Sequence, residues 1–301
     1  MTVETLRETT TGYLATTLAR TPAGEHVLVR RAGADRPDRS TSDAAALGDV
    51  ARSVLPPCRA SAGALVDGAW HHVVPGPASL APLLSAGMRD EPLRRLCEDL
   101  GTTLGLLHAA DPVPGLDEPS GLSRLRAWSE TGVGDAGRAL EAVTGVLGSG
   151  GLDDLLADLD GAALAAPTVT LLGAPGSQTV YPDPAGGPAT VLVTDEVALG
   201  PASWDLGWVV GELVERATAS TGEPRSLGRA ARGLLGAHAR TGGAVEPHHV
   251  AAAAAARILV HVHDYAAYVG WHASLVDRAR AAGRLRPGGD RDLVDRWCTP
   301  D

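Results

Sequence analysis

The hydrophobic period of this chain changes at Pro75-Gly76-Pro77, and that change limits the folds open to it more than any other feature. Before it, short apolar runs sit between turn residues, the habit of strands. After it, apolar residues recur every three or four positions, the habit of helices. Glu25 to Arg31 is a predicted strand following the turn Thr21-Pro22-Ala23-Gly24. Ser42-Asp43 is placed to cap a helix from Ala44 to about Val54, which Pro56-Pro57 stops. Ala62 to Val66 and Ala69 to Val74 flank Asp67-Gly68, a strong two-residue hairpin turn. Beyond the switch, Leu93, Leu96, Leu100, Leu104 and Leu107 fall on one helix face between Asp90-Glu91-Pro92 and Ala110-Asp111-Pro112. Further helices are predicted around 121–130, 135–147 and 151–159.

β character returns once, in Thr168 to Leu172 and Ala189 to Thr194, on either side of a loop rich in Gly and Pro. From Trp204 the pattern is helical again. Leu259, Val262, Ala266, Val269 and Ala273 step by three and four as one buried stripe, with Ile258, His261, Tyr265, Tyr268 and His272 as a second stripe beside it. The polar tail from Arg284 to Asp301 is expected to be loosely held. These readings combine into an α+β, bilobal chain. Residues 1–75 form a small β-rich N-lobe, and residues 76–301 form a larger helical C-lobe carrying an inserted hairpin at about 168–196.

Composition narrows the chemistry. No apolar run reaches the roughly 18 residues of a membrane span, and Met1-Thr2-Val3-Glu4 lacks a basic n-region before an apolar stretch, so a cytoplasmic protein with no membrane partner is expected. The formal charge of −10 argues against a nucleic-acid partner. Cys58, Cys97 and Cys298 are scattered and imply neither disulfides nor a zinc site. His71-His72, His248-His249 and His261-x-His263 do not converge at strand or helix spacing, so no metal site is expected from them. The chain contains no Lys and no Asn, and Gln178 is its only Gln. Chemistry that needs an ammonium or an Asn amide is therefore closed to it.

The segment Leu171 to Glu212 resembles the catalytic half of the aminoglycoside-phosphotransferase and choline-kinase family. Its closest stretch runs from Glu196-Val197-Ala198-Leu199-Gly200 through Trp204-Asp205-Leu206. Leu107-His108-Ala109 is similar to the family's helix ending in Leu-His, and Asp67-Gly68-Ala69-Trp70 with Val74-Pro75-Gly76 to its last N-lobe hairpin and hinge. The resemblance implies a protein-kinase-like fold in which Asp205 and His108 are structural. It also implies a phosphotransferase site, and here the chain departs from the pattern. Leu172 stands at the loop His and Ala174 at the catalytic Asp. The metal-binding Asn is at best Gln178, and the second metal-binding Asp falls on Thr194, or on Asp195 after a one-residue slip. Arg30 or Arg31 replaces the strand Lys, and no glycine-rich phosphate loop is present.

Phosphoryl transfer depends on positioned carboxylates, magnesium and a cation on the phosphates. Ala174 can neither accept a proton nor orient a hydroxyl, and loss of a general base alone typically costs about 10²–10⁴ in rate. Three readings stay open, the last of them a small-molecule binding protein or a different enzyme on the same fold. In the first the chain is a degenerate kinase, a pseudokinase, acting as a protein- or peptide-binding subunit in a bacterial natural-product pathway. In the second it is an atypical ATP- and magnesium-dependent phosphotransferase acting on Ser or Thr of a precursor peptide, or on a small molecule. Asp195, Asp183 and Glu196 would then supply the missing carboxylates, and Arg30, Gln178 and Thr194 would contact the cofactor.

Overall fold

The computed structural model describes residues 4–36, 44–88, 90–219, 224–286 and 288–300. The expected cap Ser42-Asp43 lies outside the described residues.

Three antiparallel strands open the chain: β1 (Glu4–Thr10), β2 (Leu14–Arg20) and β3 (His26–Ala32). Helix α1 (Ala44–Ser53) and the short strand β4 (Arg59–Ser61) follow, then β5 (Ala64–Val66) and β6 (Ala69–Val74). Five of these strands form one sheet in the order β1-β2-β3-β6-β5. At the β5–β6 turn Asp67 and Gly68 take φ of 49° and 73°, the pair of left-handed conformations that an Asp-Gly hairpin turn requires. The sequence pattern did not reveal β1. All its residues are exposed at the sheet edge, so no buried face imposes alternation on them. The sheet buries Leu18, Leu28 and Val74, and Tyr181 and Leu192 from much later in the chain complete that small core.

The next elements are helical: α2 (Leu80–Ser85), α3 (Asp90–Ala109), α4 (Ser120–Glu130), α5 (Gly134–Leu147) and α6 (Gly151–Ala165). Strands β7 (Val169–Leu171), β8 (Val180–Tyr181), β9 (Thr190–Leu192) and β10 (Ala198–Gly200) then precede α7 (Ser203–Ala219), α8 (Pro224–Thr241), α9 (Pro247–Tyr268), α10 (Ser274–Leu285) and α11 (Arg291–Cys298). The two apolar runs read as one hairpin do not pair with each other. β7 pairs with β10 and β8 with β9, while β9 also runs parallel to β4. The loop between β7 and β8 is thereby held inside a nested set of strands that reaches back to the first third of the chain.

The main core centres on α9, where Ala251 to Ala256 are all buried. Small side chains let α7 come close: a Cβ on Gly207 would lie 2.4 Å from Ala253 Cβ, and one on Gly211 would lie 2.6 Å from Ala254 O. Two expectations for this region need correction. Helix α9 ends at Tyr268, ahead of Gly270 at φ 129°, so the stripe stops at Ala266 and Val269 is exposed. Ile258 belongs to the fully buried core and not to the polar stripe. The tail is not loose either. Asp290 caps α11 by accepting from Leu293 N at 3.0 Å, and Leu293, Trp297 and Cys298 are buried. Two apolar anchors one helical turn apart dock it despite the surrounding charge.

Candidate functional site

The loop from Leu172 to Thr179 is held from several sides. Asp205, in the first turn of α7 and fully buried, accepts from Leu172 N at 2.8 Å and Gly173 N at 2.9 Å. Its Oδ2 lies 3.2 Å from His108 Nε2, and His108 Nδ1 lies 3.0 Å from His238 Nε2. Trp204 Nε1 donates to Gly173 O at 2.8 Å. Gly173 has φ 78°, and a Cβ there would sit 1.7 Å from Glu196 O, so both its conformation and its surroundings require glycine. At the far end of the loop Glu212 accepts from Ser177 N at 2.7 Å and from the Ser177 hydroxyl, and Arg216 bonds both partners. Burial pushes the Glu212 carboxyl up, but Arg257 and Arg216 outweigh it and leave the group below its usual range. In this braced loop Ala174, at the place the resemblance gives to a catalytic Asp, offers only a methyl group.

The three candidate carboxylates are occupied elsewhere. Asp183 Oδ1 accepts from Ala185 N at 2.8 Å, closing its own turn. Asp195 Oδ2 lies 2.7 Å from Arg36 Nη1. Glu196 is buried and accepts from the Tyr13 hydroxyl at 2.6 Å, from Arg36 Nη2 at 3.0 Å and from the Ser120 hydroxyl. Arg124 Nη1 donates to the Tyr13 oxygen at 2.6 Å, and its Nε faces Asp264 at 3.3 Å. The guanidinium carbons of Arg36 and Arg124 each lie 4.7 Å from the centroid of the Tyr13 ring, which also meets Tyr268 at 5.2 Å. Gly12 N donates to Tyr268 O at 3.3 Å, so the β1–β2 turn is fastened to the end of α9. Burial, and then the Glu196 charge, raise the Tyr13 phenol above the ordinary tyrosine range. Burial lowers Arg36, but Tyr13, Asp195 and Glu196 more than reverse it.

Magnesium prefers octahedral oxygen ligands and is usually held through one or two carboxylates. Among the described residues no three His, Cys, Asp or Glu side chains are grouped to hold a metal ion. With Asp195 and Glu196 facing Arg36 and Asp183 serving its own turn, the donor set does not fit the ion.

A cleft of about 420 Å³ lies under the sheet, between β1–β3 on one side and α2, β8 and the loop end on the other. It brings Arg30 and Gln178 together. Thr194, the third residue expected at a cofactor, does not line it. Thr194 is buried, and its Oγ1 accepts from Glu196 N at 3.3 Å. Arg7, Thr9, Thr16 and Arg216 also line the cleft, and the sequence reading missed all four, as it missed Tyr13, Arg36, Arg124 and Asp264. No local signal marks them, since Tyr13 and Glu196 are 183 residues apart.

No protein-family model matches this chain, and no curated protein matches its sequence. Solved structures do. An amicoumacin kinase in complex with AMP-PNP and Ca²⁺ superposes with a TM-score of 0.63 at 11% identity, covering 96% of this chain and 90% of its own. A choline/ethanolamine kinase family protein from Mesorhizobium loti gives 0.60 at 14% identity, covering 99% and 91%. A macrolide 2′-phosphotransferase from Brachybacterium faecium gives 0.54 at 20% identity, covering 96% and 94%. The chain therefore has the protein-kinase-like α+β fold of these phosphotransferases, with a small β-sheet region followed by a larger helical part. Among the described residues no helix is long and apolar enough to cross a membrane.

Proposed function

We propose that this chain is a pseudokinase, a kinase-like protein that no longer transfers phosphate and serves as a protein- or peptide-binding subunit. One observation carries the reading. Ala174 stands in the braced loop where catalysis needs a carboxylate, while the nearest substitutes, Asp195 and Glu196, are ion-paired to Arg36. A carboxylate held in this way can neither orient a nucleophile nor hold magnesium without first losing its partner. The loop's supports are nevertheless all in place, as in a scaffold kept for its shape. Two of the similar structures bear the names of antibiotic kinases, which supports a natural-product setting for this chain.

The competing reading is an atypical ATP-dependent phosphotransferase acting on Ser or Thr of a precursor peptide or on a small molecule. It requires Asp195 or Glu196 to leave Arg36. The purified chain is incubated with ATP labelled at the γ-phosphate, with magnesium or manganese, and with Ser/Thr peptides or aminoalcohol and macrolide acceptors. The expected result is no phosphate release or transfer above the enzyme-free rate. Turnover that disappears in Asp195→Asn would refute the pseudokinase reading and establish the alternative.

A further inference from the structure

We infer that the open edge of the N-terminal sheet binds an extended peptide segment of a partner protein as an added strand, antiparallel to β1, with a basic residue followed directly by an acidic one at its centre. The inference rests on the pseudokinase reading and adds to it where a peptide partner docks and by what chemistry. The sheet order β1-β2-β3-β6-β5 leaves β1 and β5 as its edges. β5 is three residues long and runs straight into the Asp67-Gly68 turn, whereas β1 offers seven residues, all exposed. Apart from β2, no described residue hydrogen-bonds to Glu4–Thr10. Alternate N–H and C=O groups of such an edge point outward, a template for another strand. Natural edges are commonly blunted with Lys or Pro, and β1 contains neither. Its one irregularity lies between Thr5 and Arg7, so Arg7 to Thr10 is a regular stretch. The turn that follows is fastened to α9 through Gly12 N and Tyr268 O. The edge is therefore held in place before a partner arrives, which lowers the ordering cost of binding.

The charges on β1 select the occupant. Glu4 is paired with Arg20, but Arg7 and Glu8 have no ion-pair partner among the described residues. The register gives the reason: β2 sets Leu18 beside Arg7 and Thr17 beside Glu8, so it compensates neither charge. The cross-strand places that remain are on the open side. Arg7 and Thr9 face the cleft, so Glu8 points to the outer face of the sheet. An antiparallel partner meets Glu8 first and Arg7 next, which calls for Lys or Arg and then Asp or Glu, with β-branched residues opposite Thr9 and Thr10. A second copy of this chain does not fit the pattern. Paired antiparallel about a two-fold axis, β1 would set Arg7 against its own copy or, one step along, Glu8 against its own copy. Like charges directly opposite each other are destabilising.

The test is fluorescence anisotropy of the full chain with a dye-labelled, end-capped peptide that alternates Thr and Val around a central Arg-Glu pair. Two further forms of the peptide are N-methylated on one or the other set of alternate amides. Methylation of the set that faces β1 should weaken binding by at least about tenfold through loss of several backbone bonds, and methylation of the other set should leave it nearly unchanged. Arg7→Glu should weaken binding about three- to tenfold by turning a cross-strand attraction into a repulsion. A peptide with Arg at both central positions should bind the natural chain poorly and Arg7→Glu well. Arg225→Glu, at an exposed position on α8, should change nothing. Circular dichroism checks that each variant is folded.

A one-sided response to N-methylation together with the charge-swap rescue supports the inference. An equal response to both methylated forms, binding that survives Arg7→Glu, or no binding at millimolar peptide would overturn it. So would a dimer in analytical ultracentrifugation whose stability changes in Arg7→Glu, because the edge would then belong to a second copy. Phosphate transfer in the assay described above would instead refute the pseudokinase reading, so the two failures are distinguishable.

Discussion

Removing the hydroxyl of Tyr13 tests whether the β1–β2 turn is locked to the rest of the molecule as the geometry implies. In Tyr13→Phe the ring keeps its place between Arg36 and Arg124, but the oxygen that donates to Glu196 and accepts from Arg124 is gone. A hydrogen bond to a charged group contributes about 1.5–3 kcal/mol net, so near pH 8 the variant should be less stable by about that amount. The pH dependence gives a sharper signature. In the unfolded chain Tyr13 ionises near 10.0, while burial and the neighbouring Glu196 hold the folded group neutral to higher pH. Above pH 10 the unfolded state therefore loses a proton that the native state keeps. Stability then falls by about 1.4 kcal/mol for each further pH unit until the folded group also titrates. Phenylalanine cannot do this. The stability gap between wild type and variant should therefore shrink by about 1.4 kcal/mol between pH 8 and pH 11. Burial also raises Tyr181 and Tyr268, but both proteins retain them and their effect cancels in the difference. Urea unfolding followed by circular dichroism at the two pH values measures it. A gap that stays constant, or one below about 0.5 kcal/mol at pH 8, would mean that the turn is not docked through this hydroxyl.

Gly173→Ala should destabilise the chain by about 2–5 kcal/mol, combining a left-handed conformation with a side chain driven into the Glu196 carbonyl. An unchanged melting temperature would show that the loop does not pack there. Burial holds the imidazoles of His72 and His238 neutral down to about 4, against 6.5 when unfolded. Stability present above pH 6.5 should thus be lost as pH falls toward 4.5, by about 1.4 kcal/mol per unit for each residue. Replacing either His by Gln should reduce that slope in denaturant titrations, and an unaltered slope would contradict the assignment.

Much of the fold is legible in the chain because its signals are local. The Asp67-Gly68 turn, the leucine stripe of α3 and the spacing from Gly200 to Asp205 each depend on residues within a few turns of one another. The resemblance to the phosphotransferase family singled out Asp205 and His108, and it marked Ala174 as a departure. What the chain does not disclose is pairing at a distance. β1 lacks a pattern because neither of its faces is buried, and the strands β7 to β10 are sorted by contacts with β4 and Glu196 that no window of sequence contains. The site divides in the same way. Which residue types the loop from Leu172 to Thr179 lacks is a property of the sequence. Whether the remaining carboxylates are available is not: the folded chain brings Arg36, Tyr13 and Arg124 onto Glu196, and Arg36 onto Asp195. It also gathers Arg7 from β1, Arg30 from β3 and Arg216 from α7 around one cleft, although they are far apart in the chain. Charge compensation depends on distance in space, and only tertiary structure sets that distance.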